Sequence, residues 1–152
     1  QSAGPYMVYT EPRRAGPPAG RKRERGVMNR SVLVVDDEAN IVLSLEFLLK
    51  RAGYDVRVAR NGEEAVKAVA ERPPDLIILD VMMPTLDGYH VCETIRADPK
   101  LRSVRILMLT AKSRDVEREK ALALGADDYI TKPFSTRDLV ERVKTILGPD
   151  GG

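Results

Sequence analysis

The sequence predicts a doubly wound α/β domain, and three observations carry that prediction. Short aliphatic runs recur from residue 31 onward, stretches of helical period separate them, and three of the runs are apolar at every position. Strand-like and helix-like segments in alternation are the pattern of βαβ units and a parallel sheet. A strand with no polar alternate is one buried on both faces.

The runs are Val32–Val35, Val56–Ala59, Leu76–Leu79, Ile106–Leu109 and Tyr129–Ile130, of which the first, third and fourth are wholly apolar. Between them Ile41, Leu45, Leu48 and Leu49 fall at i, i+4, i+7 and i+8. Leu139, Val143, Ile146 and Leu147 repeat that spacing, so each set marks an amphipathic helix. Further helices are predicted over about 62–71, 88–97 and 113–124, where strong helix formers are punctuated by Gly or Pro. Gly53 and Gly125 suit positions just past helix ends. Pro73 and Pro74 close the second helix, and Pro84 with Asp87-Gly88 marks a turn ahead of the third. Right-handed crossovers then put helices on both faces of the sheet, and ligands belong at the carboxyl ends of the strands.

Composition sets the bounds. A chain of 152 residues suits one domain, and 43% apolar content excludes disorder of the whole. With two Phe, five Tyr and no Trp, the core must be aliphatic. Cys92 is the only cysteine, which excludes an intrachain disulfide, and no apolar run approaches the ~20 residues of a membrane-spanning helix. A reduced, soluble, cytoplasmic protein with no membrane partner is expected.

Residues 1–30 differ from the rest. They hold seven Arg or Lys against Glu11 and Glu24, a local charge of +5, so with a total of +2 the remaining residues sum to −3. Four Pro, four Gly and no hydrophobic period make this segment a disordered extension, or sequence upstream of a start near Met28. An arm touching nucleic acid or anionic lipid is the functional alternative. The expected organisation is an extension at 1–30, a domain at 31–148 and a tail at 149–152.

Polar chemistry collects at the predicted strand ends. The first run leads into Asp36-Asp37-Glu38, the third into Asp80, the fourth into Thr110 and the fifth through Thr131 to Lys132-Pro133. Taken alone, the first acids read as favourable charges at a helix N-terminus. Three Asp carboxylates on one sheet edge repel one another, which raises a pKa or recruits counter-charge. Lys132 and a hard divalent cation supply it, and carboxylate and carbonyl donors without a His cluster or Cys pair suit Mg²⁺ or Mn²⁺ rather than Zn²⁺.

Four motifs, Val34-Val35-Asp36-Asp37-Glu38, Leu79-Asp80-Val81-Met82-Met83-Pro84, Leu109-Thr110-Ala111 and Tyr129-Ile130-Thr131-Lys132-Pro133-Phe134, occur in this order at the predicted elements. Together they resemble the receiver domain of two-component response regulators over residues 31–147. The resemblance implies a flavodoxin-like (βα)5 three-layer sandwich with a five-stranded parallel sheet in order 2-1-3-4-5.

It also implies roles. Asp80 matches the phosphoacceptor, and a carboxylate with a reference pKa of ~3.9 attacks phosphorus at neutral pH without a general base. Asp37 matches a direct metal ligand, Asp36 one acting largely through water, Met82 a backbone-carbonyl ligand, and Asp80 belongs to the same metal set. Thr110, Lys132 and the backbone N–H of Ala111 match the groups that hold phosphoryl oxygens. Thr110 and Tyr129 match a switch pair, in which Thr110 moves toward the phosphoryl group and Tyr129 turns into the vacated space. The signal leaves through the face of the fourth helix, fifth strand and fifth helix. Lys132-Pro133 is expected as a cis peptide. Met82 and Lys112 match positions that tune acyl-phosphate hydrolysis. Lys120, Asp127, Asp138 and Arg142 match charges that pair two copies in one subfamily.

The implied function is a phosphoaccepting switch that catalyses only its own phosphorylation and slow dephosphorylation. Its implied partners are a sensor histidine kinase or phosphotransfer protein, a downstream protein or fused output domain, and a second copy of itself, with no nucleic-acid contact by the receiver. The alternative is a receiver fold that binds partners without phosphorylation. Neither G-x-x-x-x-G-K-[ST] nor G-x-G-x-x-G occurs, and Met82 stands where dehalogenase-like phosphatases need a second Asp. His90 reads as a surface or packing residue, Cys92 and the Met82-Met83 pair as packing, and Arg114 to Lys120 as a solvated helical face. The five residues after the fifth helix contain no output domain, which suits either a free-standing regulator or the receiver part of a longer one.

Overall fold

A computed structural model describes residues 29–83, 86–111 and 115–148. A compact unit spans Ser31–Gly148. Its elements are β1 (Ser31–Val35), α1 (Ala39–Arg51), β2 (Asp55–Ala59), α2 (Gly62–Glu71), β3 (Leu76–Asp80), α3 (Gly88–Ala97), β4 (Arg105–Thr110), α4 (Asp115–Ala123), β5 (Asp128–Thr131) and α5 (Thr136–Leu147). A single 3₁₀ turn, Pro99–Leu101, precedes β4. The strands form one parallel sheet in the order β2-β1-β3-β4-β5, the order that the resemblance implied.

Strand side chains alternate between two cores, as a period of two requires. Leu33, Val35, Ile77, Leu79, Ile106 and Met108 meet Ala65 and Val69 of α2, Val91, Cys92 and Ile95 of α3, and Ala121 of α4. Val32, Val34, Leu76, Ile78, Leu107 and Leu109 meet Leu45 and Leu49 of α1 and Leu139, Val143 and Leu147 of α5. Both faces are therefore covered, which is why Val32–Val35, Leu76–Leu79 and Ile106–Leu109 are apolar at every position.

Local chemistry sets the helix ends. Asn61, Asp87 and Ser135 accept from the backbone N–H three residues on and cap α2, α3 and α5. Gly53 and Gly125, with φ of 102° and 104°, close α1 and α4. In each case the next residue donates five residues back, Tyr54 to the Leu49 carbonyl and Ala126 to that of Ala121. The structure differs from the sequence expectation at α1. Leu45 and Leu49 of the expected stripe are buried, but Val42 joins them while Ile41 and Leu48 are only half-buried, and Leu43 and Phe47 are exposed. Of the helix expected over about 113–124, Asp115–Ala123 is helical, and 113 and 114 lie outside the described residues.

Gly88 fixes how closely α3 starts against β3. A Cβ there stands 2.5 Å from the Asp80 carbonyl oxygen and 2.9 Å from Val81 Cα. Gly88→Ala is expected to cost about 1–3 kcal/mol by overpacking against backbone that cannot yield. Urea unfolding measures it, and an unchanged midpoint contradicts that tight approach.

Candidate functional site

The sheet delivers its acids and its cation to one edge. Asp36 follows β1, Asp80 ends β3, Thr110 ends β4, and Lys132 follows β5. Since Val35 pairs with Leu79 and Thr110 with Thr131, these neighbours arrive at nearly the same height. Thr110 also accepts the Lys132 N–H at its carbonyl, 2.6 Å away, and the Lys132-Pro133 peptide is cis.

Asp36, Asp37 and Asp80 each offer a carboxylate oxygen, and these oxygens lie within 4.8 Å of one another. Asp36 and Asp80 are buried, at 0% and 3% exposure, while Asp37 is exposed. Lys132 Nζ stands 3.1 Å from Asp36 Oδ2, 3.1 Å from Glu38 Oε1 and 3.5 Å from Asp80 Oδ1. One ammonium group thus serves three carboxylates. Asp36 Oδ1 also accepts the Glu38 N–H at 2.9 Å, and Asp80 Oδ1 accepts the Met82 N–H at 3.3 Å.

The charge imbalance appears in the titration of the pocket. Burial, and then the Asp36 charge, push the Asp80 carboxyl up to about 6, and Asp37 adds to the rise. Lys132 and the Met82 N–H oppose it. Burial works against the Lys132 ammonium, but its hydrogen bond and charge contact with Asp36, then Asp80 and Glu38, outweigh burial and raise its pKa. A divalent cation suits this donor set, because the oxygens are hard, anionic and already converge.

The remaining expected residues fall into two groups. Thr110 is buried at 1% exposure and Ala111 is exposed beside it, both at the same strand end. Tyr129 is buried at 8% in the core beneath α4, with Ala121 and Met108. Lys120, Asp127, Asp138 and Arg142 lie away from the pocket. Lys120 Nζ sits 4.2 Å from the centre of the Tyr89 ring. Asp127 accepts from Arg96 at 3.0 Å and from the Ile106 N–H at 2.8 Å, and Arg142 pairs with Asp128 at 3.1 Å. Asp138 is exposed in the first turn of α5. Lys112 lies outside the described residues.

One expectation is corrected. Met82 and Met83 do not pack as a pair: Met83 is buried, but Met82 is 63% exposed, because β3 has ended and its last acid turns the chain back through the Met82 N–H. The resemblance implied no role for Glu38. It occupies the N-cap of α1 without a side-chain cap bond and reaches Lys132 instead. An uncapped acid directly after two pocket acids was the available signal.

The family model described as the response regulator receiver domain matches residues 32–144. The chain is 52% identical over 120 residues to the alkaline phosphatase synthesis transcriptional regulatory protein PhoP of Bacillus subtilis (strain 168), covering 79% of this chain and 49% of that protein. It therefore spans about half the length of that curated relative. Among solved structures, it is similar to the chemotaxis response regulator CheY4 of Vibrio cholerae, with a TM-score of 0.75 at 31% identity over 78% of this chain and 99% of that one. It is also similar to the receiver domain of Francisella response regulator 1452, with a TM-score of 0.74 at 33% identity over 78% and 97% of the two chains. A sheet ordered 2-1-3-4-5, four motifs at its strand ends and a family match over most of the chain lead to one conclusion: the chain belongs to the response regulator receiver domain family.

Proposed function

We propose that residues 31–148 act as a phosphoaccepting switch in which Asp80 receives a phosphoryl group from a sensor histidine kinase or phosphotransfer protein. Residues 1–30 and 149–152 stand outside that switch as an extension and a tail. The observation that carries the reading is the convergence of Asp36, Asp37 and Lys132 on Asp80.

The chemistry follows from those groups. A carboxylate oxygen of Asp80 attacks phosphorus, the P–O bond forms as the P–N bond to the donor imidazole breaks, and the imidazole leaves with the electron pair. Asp36, Asp37, Asp80 and the Met82 carbonyl would hold Mg²⁺ or Mn²⁺, which supplies positive charge opposite the transferring oxygens. Lys132 already spans the pocket and takes one phosphoryl oxygen, Thr110 takes another, and the Ala111 N–H assists. Thr110 moving toward the phosphoryl group and Tyr129 lying inward then bias a two-state equilibrium read at the face of α4, β5 and α5. Lys120, Asp127, Asp138 and Arg142 supply the charge of that face, for a second copy or for a downstream protein or output domain. Similarity to a transcriptional regulatory protein supports a transcriptional output.

Incubation with a small acyl-phosphate donor and Mg²⁺ is expected to add about 80 Da, one phosphoryl unit, to the wild-type chain and nothing to Asp80→Asn. An unmodified wild type favours a receiver fold that binds its partners constitutively.

Met82 bears on the lifetime of the product. Its exposed side chain follows Asp80 by two residues, and apolar bulk there hinders an attacking water. Met82→Asn is expected to speed loss of the phosphoryl group several-fold, read by intact mass over time. An unchanged or slower decay contradicts this.

A further inference from the structure

One stripe of α3 is joined to α4 and to the loop after it by a row of polar contacts. Tyr89, Cys92 and Arg96 lie at i, i+3 and i+7, on a single side of the helix. The Tyr89 hydroxyl donates to Glu117 Oε1 at 2.9 Å, and Lys120 Nζ lies over the Tyr89 ring at 4.2 Å. Farther along, Cys92 Sγ donates to the Leu124 carbonyl at 3.4 Å, while Arg96 donates to the Gly125 carbonyl at 2.8 Å and to Asp127 at 3.0 Å.

The two ends of this row differ. At the C-terminal end of α4 the acceptors include the backbone of Leu124 and Gly125, which moves only if the chain moves. At the N-terminal half the contact joins side chain to side chain, so a rotamer change breaks it. The front contact also begins beside the phosphoacceptor strand. Tyr89 follows Gly88, whose N–H donates to the Val81 carbonyl at 3.0 Å and where any Cβ would run into the Asp80 backbone. Tyr89 packs on the same core cluster that buries Tyr129 and Ala121.

We propose that Tyr89, Glu117 and Lys120 form a releasable latch that holds the N-terminal half of α4 in the arrangement that buries Tyr129. The contact of Arg96 with Gly125 and Asp127 remains as the pivot when the latch opens. The inference rests on the reading of Thr110 and Tyr129 as a switch pair, in which inward Tyr129 belongs to the phosphorylated end of the equilibrium. Opening the latch then depletes that end. Because a receiver that rarely visits its phosphorylated arrangement also reacts slowly, phosphorylation by a small donor slows in proportion.

Hydrogen exchange of the full chain tests this, with and without acyl-phosphate donor and Mg²⁺. Tyr89→Phe keeps the ring beneath Lys120 and removes only the hydroxyl. Exchange in residues 116–120 is expected to quicken about 3- to 10-fold in both states, the effect of losing one ordinary, partly solvated hydrogen bond, with residues 124–127 unchanged. The phosphorylation rate is expected to fall by a similar factor. Lys120→Ala shifts both in the same direction, and Tyr89→Phe combined with Glu117→Ala does no more than Glu117→Ala alone, because the two act through one bond. Wild-type exchange in Tyr89→Phe, or additive effects in the pair, overturns the latch. Faster exchange with an unchanged phosphorylation rate reduces it to a structural contact and also overturns it. Failure of the wild type to become phosphorylated overturns the underlying reading instead, which separates the two failures.

Discussion

Asp80→Asn is expected to stabilise the protein at neutral pH in a chelator by about 1–3 kcal/mol, although it removes a charged partner of Lys132. The cause is the crowding that lifts the Asp80 carboxyl to about 6, chiefly through burial and then through the Asp36 charge. The sign follows from linkage. A carboxyl that binds its proton more tightly when folded than when unfolded opposes folding once ionised. The wild-type penalty is therefore full above pH about 6, shrinks as the pH falls through that value, and is gone below about pH 4, where both states are protonated. The advantage of the amide should fade over the same window. Urea unfolding of both proteins between pH 4 and 8 measures it, and a variant less stable than wild type at pH 7.5 contradicts the crowding.

Lys132→Ala is expected to have the opposite effect and a larger one. Lys132 Nζ serves Asp36, Glu38 and Asp80, and the Asp36 side chain is fully buried. Taking one partner from such a group leaves buried charge uncompensated, a loss of about 3–5 kcal/mol in chelator. Mg²⁺ should restore part of that stability, because it also neutralises the carboxylates. It should not restore phosphoryl transfer, which is expected to fall roughly 10²- to 10³-fold, the usual consequence of losing one charged donor to a developing anion. Chemical denaturation and single-turnover mass analysis read the two effects separately. A variant that is destabilised but transfers at the wild-type rate places Lys132 in a structural role only.

The two expected results share a physical cause, and it explains what the sequence made legible. β1, β3 and β4 could be read directly because a strand covered on both faces has no polar alternate. The helix closures at Gly53 and Gly125 were legible because a residue just past a helix end follows a local rule. The strand order did not follow from periodicity, which carries no information on which strands are neighbours; the resemblance supplied it. In α1 apolar residues surround more of the helix than the core can cover, so Leu43 and Phe47 remain outside while Val42 goes in. Choosing among those residues requires knowing where the sheet lies.

The pocket was legible because its chemistry is concentrated in strand ends. Asp36, Asp37, Asp80, Thr110 and Lys132 each close or follow a recognisable apolar run. Glu38 was harder, since an acid at a helix N-terminus has an ordinary reason to be there, and only the Lys132 contact reveals its second one. The exposure of Met82 was not legible for a related reason: an apolar residue beside an apolar run resembles core until the chain turns away. The Tyr89 contact joins residues 28 positions apart on two different helices, a distance at which neither spacing nor capping rules speak.

Calorimetric titration with Mg²⁺ tests the central claim most directly, because it asks whether three converging carboxylates and one ammonium form a pocket short of positive charge. One Mg²⁺ is expected to bind wild-type protein, with binding lost or greatly weakened in Asp37→Asn and Asp80→Asn. Absence of Mg²⁺ uptake by the wild type, or uptake indifferent to both substitutions, would contradict the account.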